Sequence, residues 1–86
     1  TTEDRMVHDL ALLALGRVDE ARASFERVVA SNASDILALN NLAYIAHRHE
    51  RDSAKAVALI ERALKINPEY PLLRANLERF AVAPVE

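Results

Sequence analysis

The apolar positions of this chain fall into five groups, each spaced three and four residues apart as one face of a helix requires, with turn residues between them. In the first group, Thr1 and Thr2 ahead of Glu3 and Asp4 make a hydroxyl-capped start whose acids suit the positive end of a helix dipole. That helix is expected to run through Leu15 and to stop at Gly16, the only glycine. Met6, Leu10 and Leu13 form one stripe on it, and Val7, Ala11, Leu12, Ala14 and Leu15 spread over its other faces. A second helix, about Asp19 to Ser31, buries Ala21, Phe25, Val28 and Val29. A third, Asp35 to about Arg48, turns Leu39, Leu42, Ala43 and Ala46 inward and carries Asn40, Asn41, Tyr44 and His47 on its exposed faces. The fourth, Ser53 to Ile66 with Asp52 as cap, buries Ala56, Leu59, Ile60, Ala63 and Leu64. Asn67-Pro68 ends it, and Pro71 opens a fifth helix that reaches about Val82 with Leu73, Leu77, Phe80 and Ala81 inward.

The second and fourth groups are copies of one another. Shifted by 35 residues, Ala21, Ala23, Glu26, Arg27 and Asn32 fall on Ala56, Ala58, Glu61, Arg62 and Asn67 without change. Phe25 meets Ile60, Val28 meets Ala63 and Val29 meets Leu64, apolar for apolar. A period of this length marks stacked helical repeats, in which each unit covers the face its neighbour cannot hide. The connection His49-Glu50-Arg51-Asp52 is one residue longer than the one holding Gly16, and the extra residue is expected to relax a turn that lacks glycine.

The second repeat reads Leu39-x2-Leu42-Ala43-x2-Ala46, then Ala56-x3-Ile60, then Pro68; the first keeps Ala21-x3-Phe25 and has Ala33 at the proline position. In this the chain resembles the tetratricopeptide repeat family. Helix one departs from the pattern, with Arg5, His8 and Asp9 where an aromatic, a leucine and a glycine are usual, and only Leu12 suitable. The resemblance implies an all-α fold of antiparallel helix-turn-helix repeats, an α-solenoid of two repeats plus a C-terminal capping helix. Residues 1–86 then form a single domain: repeat one at about 3–33, repeat two at about 35–68, the closing helix at about 71–82.

It also implies a role. Members of the family hold a protein or peptide in the concave groove lined by the first helix of each pair, often with an asparagine that grips the ligand's backbone. The matching positions here are Asn41 and Asn76, with Val7 in helix one. An amide both donates and accepts, so it can satisfy a peptide group without reading sequence; purely local hydrogen bonds are the alternative. Asn40, Tyr44, His47 and Arg48 on helix three and Arg79 on helix five are the candidates for selectivity. Arginines in a groove favour an acidic peptide or terminal carboxylate, with a solvated surface as the plain alternative. The Met6, Leu10 and Leu13 stripe has three open roles: core, contact with a second copy of the chain, or contact with ligand. Two repeats fall short of the roughly three that stable arrays use, so a homodimer or a structural assembly unit stacking through helix one is the competing expectation.

Composition narrows the remaining classes. A net charge of −2 with basic and acidic residues interleaved leaves no footprint for nucleic acid or anionic lipid. The longest apolar run, Leu10 to Leu15, is too short to span a bilayer, and no signal peptide is expected; the compartment stays open, with a cytoplasmic one favoured. Cysteine is absent, so no disulfide or thiolate metal site exists. His47 and His49 lie two apart at a helix end, the wrong spacing for a helical metal site. No phosphate loop and no nucleophile–base pairing is present, so neither an enzyme nor a cofactor is expected.

Overall fold

A computed structural model of the chain describes residues 10–82, and among these there are helices and turns but no strand. In order they are α1 (residues 10–14), α2 (Val18–Ser31), α3 (Ile36–Arg48), α4 (Ser53–Ile66) and α5 (Pro71–Phe80). α2 and α4 begin and end 35 residues apart, as the internal repeat requires. Their terminal asparagines are also equivalent. Asn32 sits at φ −144°, ψ 91° and Asn67 at φ −141°, ψ 91°, and each side-chain oxygen accepts from the backbone N–H two residues on, Ser34 or Glu69. This short Asx turn satisfies a backbone donor that has left the helix, which is the physical reason asparagine stands at both places.

Helix starts use the same economy of local bonds. Asp35 accepts from Ala38 N–H at 3.0 Å and Asp52 from Lys55 N–H at 3.0 Å. Arg17, which holds the corresponding place before α2, has no acceptor and makes no cap bond. Pro71 occupies the first turn of α5, where its missing N–H costs nothing.

α1 ends in a Schellman arrangement. Gly16 N–H bonds to Leu13 C=O at 3.0 Å and Arg17 N–H to Leu12 C=O at 2.8 Å, with Gly16 at φ +79°. The turn between α3 and α4 corrects a sequence expectation: it does not escape the left-handed conformation. Arg51, 35 residues after Gly16, adopts φ +53° itself. The longer connection comes from α3 stopping one residue sooner, since α4 still starts in register with α2.

α3 lies between α2 and α4 and also touches α5, and it feeds two apolar clusters. Ala38 and Ile45 join Leu12, Ala21, Phe25 and Val28 on the side of the first pair. Leu39, Ala43 and Ala46 join Ala56, Ile60, Ala63, Leu73 and Phe80 on the other. Alanines at the crossings let helix axes approach, while Phe25, Leu39, Ile60 and Leu73 fill the gaps, each worth about 1.5–3 kcal/mol in burial. Serving two neighbours leaves α3 little free surface, and so Asn40 and His47, expected on exposed faces, are buried instead. Leu42, Leu59, Leu64 and Leu77 pack from the margin, half-buried. Ala81, expected inward, is exposed because α5 stops at Phe80.

Candidate functional site

The surface left to α3 is narrow. Leu37, Asn41, Tyr44 and Arg48 follow one another at spacings of four, three and four, a single face of the helix. Where this face meets α1 there is a cleft of about 410 Å³, lined by Leu10, Leu13, Ala14, Asn41, Tyr44 and His49. Its walls are apolar or aromatic, with the Asn41 amide among them and the Tyr44 and His49 rings edge to face, centroids 5.9 Å apart at 73°. Repeat one supplies one wall and repeat two the other.

Next to it, α5 is fastened down rather than open. Asn76 Nδ2 donates to Asn40 Oδ1 at 2.7 Å, with both residues buried. His47 Nε2 donates to the Val82 carbonyl at 2.7 Å and stacks on Phe80 with centroids 4.9 Å apart, and Ser53 Oγ donates to the same carbonyl at 3.3 Å.

A run of charges joins the repeats. Arg22 of α2 pairs with Asp19 at 2.8 Å and lies with Nε 2.9 Å from one oxygen of Glu50; the other oxygen accepts from Lys55 Nζ at 2.9 Å. The Arg22 pKa is raised by its hydrogen bond to Asp19, with the charges of Glu50, Asp19 and Glu26 adding to this and burial opposing it. Among the described residues no three His, Asp or Glu side chains converge as a metal site, and no helix is long and apolar enough to cross a membrane.

With this geometry of paired helices and a cleft between their first members, a tetratricopeptide repeat family model matches residues 10–71. The chain belongs to the tetratricopeptide repeat family. Searches of curated proteins and of solved structures each returned no significant match. The family's repeats are in general protein-interaction modules and non-catalytic scaffolds.

Against the family's pattern, the candidate residues of this repeat domain separate into two sets. The cleft gathers Leu10, Leu13, Asn41 and Tyr44, with Arg48 exposed one turn beyond Tyr44. Asn40, His47 and Asn76 lie apart from it, in the α3–α5 contact, and Arg79 is exposed on α5. Met6 falls outside the described residues. One cleft residue, His49, and two exposed leucines outside the cleft carry no site role in the sequence pattern. His49 looked like turn surface, and only the fold brings it against Tyr44. Leu37 and Leu72, exposed to 45% and 44%, are identical at the 35-residue shift; that identity was the available signal, and its equal exposure marks a surface position rather than a core one.

Proposed function

We propose that this tetratricopeptide repeat domain holds a protein partner, through an extended segment, in the groove formed by α1, α3 and α5. The observation that carries the reading is the α1–α3 cleft: about 410 Å³, within the range of roughly 300–1,000 Å³ usual for ligand sites, apolar walled and holding one amide able to donate and accept. Leu10, Leu13 and Tyr44 receive an apolar side chain, and Asn41 bonds a backbone group of the same segment. Arg48 and Arg79 sit on the same faces of α3 and α5, and α3 carries no carboxylate, which favours an acidic partner. Asn40, His47 and Asn76 support the groove from beneath by holding α5 to α3.

The test is a paired capture from cell extract with the unsubstituted domain and with Leu13→Glu plus Asn41→Ala, followed by calorimetry on whatever distinguishes the two. A partner retained by the unsubstituted domain and lost by the variant, at equal helicity by circular dichroism, supports the groove. Equal capture by both removes it.

A second reading has its own observation. Leu10 on α1 is 45% exposed, and Leu15, just past its end, 73%. Association of two copies, or stacking on further repeats, through this helix covers that apolar surface. Light scattering after gel filtration separates the readings: a dimer dispersed by Leu10→Glu supports assembly, and a stable monomer supports partner recognition.

A further inference from the structure

Neighbouring residues of the α3–α4 turn do different work. His49 stands in the wall of the cleft beside Tyr44. Glu50 takes no part in that wall; its two carboxylate oxygens go to Arg22 of α2 and Lys55 of α4, each at 2.9 Å. The Arg22–Glu50 pair therefore crosses from repeat one to repeat two, and the two walls of the cleft belong to those same repeats. Leu12 ties α1 into the apolar cluster of α2, so a change in where α2 meets the turn moves Leu10 and Leu13 relative to His49 and Tyr44. The turn has reason to shift when released, since Arg51 holds a left-handed backbone that a non-glycine residue adopts at a cost. Arg22 and Glu50 side chains are about a quarter exposed, at 26% and 25%, so their attraction outlasts that of a pair in open water at low salt yet stays within reach of screening at high salt.

We infer that Arg22 and Glu50 are positioning residues for the cleft: their ion pair sets the distance between its walls, and partner affinity varies with ionic strength through a contact that touches no ligand. This rests on the cleft being the partner site. The apolar clusters hold the repeats together regardless, so the pair adjusts the cleft and does not open the fold.

The experiment follows side-chain resonances of the free domain. In Glu50→Gln and in Arg22→Met, the ring signals of Tyr44 and His49 and the methyl signals of Leu10 and Leu13 are expected to move together. Raising sodium chloride to about 1 M, where the screening length falls to about 3 Å, is expected to move the same signals in the same direction in the unsubstituted chain. This arm stands even when a variant fails to fold. Asp35→Ala, which removes a helix cap on the far end of α3, controls for a general loss of stability. Signals that stay in place while those of Arg22 and Lys55 move overturn the inference, as does an equal response in Asp35→Ala. No ligand enters the measurement, so its failure and a failure of partner binding are separate results.

Discussion

Asn76 of α5 donates its side-chain N–H to the side-chain oxygen Oδ1 of Asn40 on α3 across 2.7 Å, and each residue is only 8% exposed. At that depth each amide is the other's replacement for water. Asn76→Ala or Asn40→Ala leaves a buried polar group unsatisfied and is expected to cost about 1–3 kcal/mol. Changing both to alanine removes the orphan, so the double variant is expected to lose less than the sum of the single ones. Urea unfolding in a double-mutant cycle reads this directly, with a coupling of about 0.5–3 kcal/mol expected for residues in contact. Strict additivity means the pair is not formed in solution.

Phe25 is fully buried where α1, α2 and α3 meet. Phe25→Ala is expected to destabilise by about 3–5 kcal/mol. Total stabilities run at about 0.05–0.15 kcal/mol per residue, so in a chain of 86 residues this is a large share and unfolds much of the population at 37 °C. An unchanged melting temperature contradicts the packing of the first repeat.

The fold was legible because its signals are local. Alanines at 21 and 56 and asparagines at 32 and 67 mark the period, and the asparagines, Asp52 and Pro71 act on backbone within a few residues of themselves. The site was legible only in part. Asn41 and Asn76 are equivalent at the 35-residue shift, yet one lies in the cleft and the other is taken up by Asn40. Nothing within α3 distinguishes a polar residue facing a groove from one facing α5, because that depends on where a helix some 36 residues away comes to rest. His47 was misjudged for the same reason: its partners, Phe80 and Val82, are remote in sequence.

Gly16 isolates a backbone effect from a packing one. A Cβ placed there meets nothing within 4 Å, so the penalty of Gly16→Ala comes from φ +79° alone. About 1–2 kcal/mol of destabilisation is expected, with the cost falling on the α1–α2 junction. Thermal unfolding measures the total, and faster amide exchange at Arg17 locates it, since its N–H closes the helix end at 2.8 Å. A neutral substitution means that α1 ends in some other way.

Among the described residues α5 packs against α4 and, more lightly, α3, and its end is held by His47 through the Val82 carbonyl and the face of Phe80. His47→Ala removes both contacts and leaves Val82 with Ser53 Oγ at 3.3 Å as its remaining side-chain donor among the described residues. Elements with few partners open at lower free energy than the whole molecule does. Amide exchange is therefore expected to quicken through α5 while α2, packed around Phe25 on the far side of α3, keeps its protection. His47→Gln retains a donor but not the flat ring, so it is expected to fall between the two and to show how much of the hold is stacking. If exchange quickens equally in α2 and α5, the closing helix has no separate opening and the domain unfolds as one unit.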